Sequence, residues 1–247
     1  MEGNILSVEK LNVFYTDKSQ GVFQKNRRIQ VLQDVSFTMK AGEIRGLVGE
    51  SGCGKSTLAK AILGMLEQQE GSIIHQSRNP QMIFQDPYSS LNPAKKIGWS
   101  LEEPLRLRGG FTKEERRQKS LQMLEKVGLE AKIAERYPNQ LSGGQRQRIC
   151  IAVALMLEPK LLIADEPVSA LDVTIQAQIL KLLLKLQKEM GLSILFISHD
   201  LRVVYQMCEQ VMIMHQGKII EAGSVDEVYF SPKQEYTKQL LKAAKIE

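Results

Sequence analysis

Gly49-Glu50-Ser51-Gly52-Cys53-Gly54-Lys55-Ser56-Thr57 gathers flexible backbone, a cation and hydroxyls into one short stretch. Gly-x-x-x-x-Gly-Lys-Ser is matched in full from Gly49 to Ser56. Glycines at these places let backbone amides wrap a β-phosphate, Lys55 reaches the β/γ oxygens, and the Ser56 hydroxyl ligates Mg2+. An ordinary glycine-rich turn is the bland alternative. A second stretch, Leu141-Ser142-Gly143-Gly144-Gln145, stands ahead of a long apolar-periodic run and reads as a helix entry. Such an entry presents backbone N–H groups and the positive end of a helix dipole, with no Cβ to block a phosphate. Two phosphate-binding elements in one chain point to an ATP held between two subunits.

Carboxylates and one imidazole complete the set. Leu161-Leu162-Ile163-Ala164-Asp165-Glu166 is an apolar run ending in two acids. At the carboxyl end of a strand, where ligands collect, Asp165 can hold the metal and Glu166 can polarise an attacking water. A solvated acidic strand end is the alternative, and the phosphate loop upstream outweighs it. His199 follows Ser193–Ser198, again at a strand's end, in position to contact a γ-phosphate. Gln85 closes another apolar run and offers a neutral ligand to Mg2+ or water; alone before Asp86-Pro87 it would read as a turn residue. Ser169-Ala170-Leu171-Asp172 follows Glu166-Pro167, with Asp172 suited both to a site role and to capping the next helix. Tyr15, or Phe14 beside it, is a candidate to stack on adenine, though an aromatic in a strand also serves a core.

The elements that must carry these residues are visible in outline. Leu6–Tyr15 and Val31–Met39 read as strands, the second ending at the Ala41-Gly42 turn. Ile44–Val48 is a short apolar strand that feeds the glycine loop, and Lys55–Leu66 reads as a helix; strand, loop and helix in this order are the context the phosphate motif requires. Arg45 interrupts that strand near its entrance. Ile73-Ile74 and Gln81–Phe84 look like further strand pieces. Residues 86–154 read as a mostly helical insertion, with Thr112 and Glu115 in a capping-box pattern opening a helical stretch to Gly128. Leu161–Ala164 and Ser193–Ser198 are buried strands, Val173–Met190 is an amphipathic helix with its Leu stripe toward a core, and Val211–Met214 with Lys218–Glu221 form a hairpin about Gln216-Gly217. This alternation predicts an α/β fold with a mainly parallel sheet and covering helices.

At 247 residues and 43% apolar content the chain can fill a sizeable core. Its longest apolar run, Ile149 to Leu157, is far short of the ~20 residues needed to cross a bilayer. The start, Met1-Glu2-Gly3-Asn4, shows no secretory signal, so the expectation is a soluble chain or one attached to a membrane through a partner. The net charge of +5 is spread out, with small clusters at Lys25–Arg28 and Arg116–Lys119, the second lying among acids as a solvated helix face. Cys53, Cys150 and Cys208 have no metal-type spacing, which argues against a disulfide or a zinc site.

Taken together and in this order, the phosphate loop, Gln85, the pentapeptide 141–145, Asp165-Glu166, the 169–172 loop and His199 resemble the nucleotide-binding subunit of an ABC transporter, over nearly the whole chain. The resemblance implies a phosphate-loop ATPase core with an antiparallel β subdomain and an inserted helical subdomain. It divides the chain into residues 1–85 and 155–222 as core, 86–154 as helical subdomain and 223–247 as a C-terminal helical tail. It implies ATP and Mg2+ as cofactors, with Ser56, Gln85 and Asp165 at the metal and Glu166 as catalytic base beside the switch histidine His199. Ser142, Gly143, Gly144 and Gln145 would then bind the γ-phosphate of an ATP seated on the opposing subunit's phosphate loop.

A narrower likeness joins the phosphate loop, Phe84-Gln85-Asp86-Pro87-Tyr88-Ser89-Ser90-Leu91-Asn92-Pro93 and the tail Glu235-Tyr236-Thr237-Lys238-Gln239-Leu240-Leu241 to the peptide and nickel importer subfamily. That likeness implies two transmembrane permease subunits, a second homologous ATPase subunit as heterodimer or homodimer partner, and an extracytoplasmic substrate-binding protein. It also implies a peripheral place on the cytoplasmic face of the membrane. The chain is short between Gly71 and Gln81. Cys208 is the only cysteine of its last third, so no iron–sulfur cluster is expected. A soluble ATPase acting on nucleic acid or ribosomes is the competing reading, and the absence of zinc-type cysteine pairs weighs against it. A nucleotide switch without turnover is a third, opposed by Glu166 and His199.

Overall fold

The computed structural model describes residues 3–17, 27–77, 79–87 and 89–246. Lys25 of the first basic cluster and Tyr88 lie outside them. The chain divides into two compact units, one formed by residues up to Ser77 together with those from Ser193 onward, the other by the residues between.

In the first unit, β1 (Asn4–Asp17) pairs antiparallel with β2 (Arg27–Lys40) and with β4 (Gln69–His75), in the order β2-β1-β4. A second sheet places β3 (Ile44–Val48) parallel to both β7 (Ser193–Ser198) and β8 (Gln210–His215), and β8 turns back into antiparallel β9 (Lys218–Ser224). β3 and β7 are apolar along nearly their whole length because both faces are covered, the pattern of a parallel sheet interior. Arg45 is tolerated there because it pairs with the buried Glu43 at 2.6 Å. Helix α1 (Lys55–Ile62) follows β3, α6 (Leu201–Met207) follows β7, and α7 (Val225–Phe230) and α8 (Glu235–Ala243) close the chain. The helix expected to reach Leu66 stops at Ile62. Gly64 takes φ 69°, and Met65 N–H reaches back to the Lys60 carbonyl at 2.9 Å, a closure that ends helices.

The second unit pairs β5 (Gln81–Ile83) parallel with β6 (Leu161–Asp165). Its helices are α2 (Ile97–Arg108), α3 (Lys113–Lys126), α4 (Gly143–Leu155) and α5 (Val173–Met190). The capping box at Thr112 and Glu115 forms in both directions, at 3.2 and 2.7 Å. α5 has the limits its sequence predicts and buries Ile179, Leu180, Leu182, Leu183 and Leu186 along one stripe. Each such side chain contributes ~1.5–3 kcal/mol relative to exposure. α2 is the helix that the sequence reading does not single out within the insertion, since Pro104 lies inside it and a proline is a helix-breaking signal. Lys95 and Arg106 lie over the Trp99 ring, at 5.1 and 4.6 Å from its centroid, and steady the first half of that helix. The fold is α/β, with mainly parallel pairings and a separate antiparallel sheet. Among the described residues no helix is long and apolar enough to cross a membrane.

Candidate functional site

In the first unit the phosphate loop leaves β3 at Gly49, and His199 leaves the neighbouring β7 at the same edge, because Val48 and Ser198 are register partners. The loop closes around its own lysine. Lys55 is buried, and its Nζ donates to the Gly49 and Glu50 carbonyls at 2.7 and 3.0 Å. Gly49 admits no side chain: a Cβ there would collide with the Met214 carbonyl and lie 2.7 Å from Cys53 Sγ. Gly54, at φ 113°, forms the N-cap of α1 and likewise faces Leu32 at 2.8 Å from a would-be Cβ. α1 begins with no side-chain cap and no acid in its first turn. Its amide groups and Lys55 therefore make a cradle suited to an anion. Ser51, Gly52 and Ser56 are exposed at this loop, and Thr57 is half-buried. Burial pushes the Cys53 thiol above its ordinary range, so it stays neutral and serves packing.

His199 is exposed, and the residue after it anchors α6: Asp200 accepts the Arg202 N–H at 2.9 Å, and its own N–H donates to Ser198 Oγ at 3.0 Å. Val48, Gly49, Glu50 and His199 line a cavity of ≈ 490 Å³ whose other wall is α8. Tyr15 lies on β1 opposite Ile29 and is 39% exposed, while Arg28 already covers a face of Phe14 at 4.2 Å from its centroid. Of these two aromatics, Tyr15 is the one with a half-open ring.

In the second unit, parallel pairing of Ile83 with Ala164 brings the ends of β5 and β6 together. Gln85 Nε2 donates to Glu166 Oε2 at 2.9 Å, joining residues far apart in sequence. Asp165 is buried just before, and Glu166 adopts φ 47°. A non-glycine residue in this left-handed region costs ~1–3 kcal/mol and persists where surrounding contacts hold it. Here Ser169 holds it, donating from N and Oγ to the Glu166 carbonyl at 3.3 and 3.1 Å. Asp172 caps α5, accepting the Ile175 N–H at 3.0 Å. A carboxylate fixed by an amide donor and a strained backbone is a preorganised proton acceptor.

The pentapeptide opens α4, with Ser142 as N-cap. Ser142 Oγ accepts the Gln145 N–H at 3.3 Å, and Gln145 Oε1 accepts the Ser142 N–H at 3.1 Å. Gly144 packs against α5, since a Cβ there would sit 2.7 Å from Ile175 Cγ2, whereas Gly143 has ordinary room beside Leu171. The helix entry thus lies against the 169–172 segment at Gly143 and against α5 at Gly144, contacts that sequence spacing does not announce. All three cysteines are buried and free, with burial pushing the Cys150 thiol up to about 12. Among the described residues no cluster of three or more His, Cys, Asp or Glu side chains is placed to hold a metal. Oxygen donors of the kinds a hard cation such as Mg2+ takes stand in each unit, the Ser56 hydroxyl in the first, the Gln85 amide and the Asp165 carboxylate in the second.

Residues 32–169 match the ABC transporter family. The chain is 45% identical over 254 residues to a dipeptide transport ATP-binding protein of Haemophilus influenzae, covering 97% of this chain and 77% of that one. It is 47% identical over 261 residues to an oligopeptide transport ATP-binding protein of the same organism, with 98% and 78% covered. An ATP-binding cassette solved as a dimer in a post-hydrolysis state, bound to ADP and Pi, superposes with a TM-score of 0.75 at 29% identity, covering 89% of this chain and 98% of that one. With the family match spanning more than half of its length and relatives this similar along nearly all of it, the chain belongs to the ABC transporter family and is an ATP hydrolase of that family.

Proposed function

We propose that this chain is the ATP-hydrolysing subunit that drives an importer of peptides. Turnover rests on one observation above the rest, the 2.9 Å hydrogen bond that fixes the Glu166 carboxylate to the Gln85 amide. The peptide cargo rests on the names of the relatives, which are dipeptide and oligopeptide transport proteins. Nickel or metal-chelate cargo has no such support.

The residues divide the work as follows. The amides of Gly49, Ser51, Gly52, Cys53, Gly54 and Thr57 with Lys55 bind the phosphates, and Tyr15 stacks on adenine. Ser56, Gln85 and Asp165 would hold Mg2+, which when bound neutralises charge on the transferring phosphate. Glu166 takes a proton from the attacking water, and His199 orients that water at the γ-phosphate. Ser142, Gly143, Gly144 and Gln145 bind the ATP of a second, related subunit, with Asp172 contributing from the adjoining loop. Residues 86–154, which hold α2 and α3 and most of α4, form the helical subdomain, and the segment following Gln85 forms part of the groove that receives the permease. The core segments 1–85 and 155–222 bind ATP, and 223–247 form the helical tail. Two transmembrane permease subunits and an external binding protein complete the assembly, with this chain peripheral on the cytoplasmic side.

Glu166→Gln tests the catalytic half. It keeps ATP binding while hydrolysis falls by about 10²–10⁴-fold, the contribution of a positioned general base. Undiminished turnover in that variant rejects the assignment. Uptake of short peptides against nickel chelates by the reconstituted complex tests the cargo.

A further inference from the structure

Helix α8 reaches the phosphate loop through one side chain. Tyr236, in the first turn of α8, accepts the Glu50 N–H on its hydroxyl at 3.3 Å, across 186 positions of sequence. Its ring lies on His215 with centroids 3.9 Å apart. His215 ends β8 directly after Met214, whose carbonyl closes against Gly49. On the hairpin side, Gly217 N–H donates to the Cys53 carbonyl at 2.9 Å. The loop is therefore braced at both of its ends, by β8–β9 and by Tyr236.

The helix that carries Tyr236 is itself anchored. Glu221 of β9 accepts the N–H groups of Lys233 and Gln234 at 2.7 and 3.1 Å, just ahead of α8. Thr237 and Leu241 are buried, and Arg202 donates to the Ala244 carbonyl at 3.2 Å. Burial also pushes the Tyr236 phenol up, so a neutral hydroxyl meets the amide. The helix so anchored bears, through Tyr236, on a backbone amide of a glycine-rich loop.

We propose that Tyr236 is a positioning residue for ATP binding, pre-setting the leading edge of the phosphate loop through its hydroxyl on Glu50 and its ring on His215. The inference rests on residues 49–57 being the ATP site. A loop rich in glycine samples many conformers, and apparent affinity falls by the fraction that is binding-competent. Removing the hydroxyl lowers that fraction without touching the residues that meet phosphate.

The test compares Tyr236→Phe, Tyr236→Ala and Lys55→Ala in the full chain, by ATP titration, and in the assembled complex by hydrolysis. Tyr236→Phe raises the dissociation constant and KM about three- to tenfold, the range open to one neutral hydrogen bond, with kcat changed less than about twofold. Tyr236→Ala, which also loses the ring on His215, raises them further. Wild-type affinity in Tyr236→Phe overturns the proposal, whatever happens to melting temperature; that pattern makes α8 a structural helix only. Should Tyr236→Ala fail to fold, Tyr236→Phe alone decides. Lys55→Ala separates the premises. If it loses ATP while Tyr236→Phe does not weaken, only this inference falls; if it binds ATP as wild type does, the ATP-site reading falls and takes the inference with it.

Discussion

The two helix entries proposed to meet phosphate are built in opposite ways. α1 starts bare, with Gly54 as its N-cap, no acid in its first turn, and a buried lysine turned back onto the loop's own carbonyls. α4 starts closed, with Ser142 and Gln145 satisfying each other's backbone N–H in a capping box. The first is an anion cradle whose helix amides meet no side-chain cap, with only the loop's own carbonyls holding its lysine. The second is a helix start whose own side chains already satisfy it, and in the proposed role it would meet phosphate only by sharing groups used for capping. That difference suits the proposed division, in which the first entry holds this chain's own nucleotide and the second meets the nucleotide of a related subunit.

Gly49→Ala breaks the bare entry and carries the largest expected effect. The new Cβ collides with the Met214 carbonyl and crowds Cys53 Sγ, so β8 or the loop must move. Backbone overpacking of this kind costs ~1–3 kcal/mol or more, and ATP affinity falls below detection in a titration. Preserved binding in a folded Gly49→Ala chain would mean that the cradle does not need the geometry seen here. Gly144→Ala tests the closed entry at its tightest point. Its Cβ meets Ile175, a side chain with some room to turn, so the expected loss is ~1–2 kcal/mol, read as a lower melting temperature. If stability is unchanged, Gly144 is not held by α5.

How much of this contrast the sequence carries follows from the range of each interaction. The bare entry is local: strand, glycine loop and helix follow in order, and Ile44–Val48 has the limits its sequence predicts. The caps at Thr112 and Asp172 are local too and form as their spacing predicts. The end of α1 is missed because a leucine-containing helical pattern runs on past Gly64, whose left-handed backbone stops it. α2 goes unmarked because Pro104 outweighs a weak amphipathic pattern. The long-range contacts have no sequence signal at all. Gln85 meets Glu166 only through the register of β5 on β6, Gly144 meets Ile175 only through packing of α4 on α5, and Tyr236 meets Glu50 only once α8 has docked. Residue type names these positions as candidates; only the pairing of elements says what each one touches.

The smallest expected effect gives the sharpest test of the closed entry, because Ser142 has two jobs that a single substitution confounds. Ser142→Ala removes the N-cap and costs ~1 kcal/mol of stability, whereas Ser142→Gly costs only a few tenths of a kcal/mol, since glycine is itself a tolerated cap. Both lose the hydroxyl. If Ser142 serves only the fold, hydrolysis by the assembled complex follows stability, and Ser142→Gly works as well as wild type. If the hydroxyl also meets the partner subunit's ATP, both variants slow hydrolysis by a similar factor although their melting temperatures differ. The second outcome is the one expected, and matched melting curves with a wild-type rate in Ser142→Gly would reduce the closed entry to a helix cap.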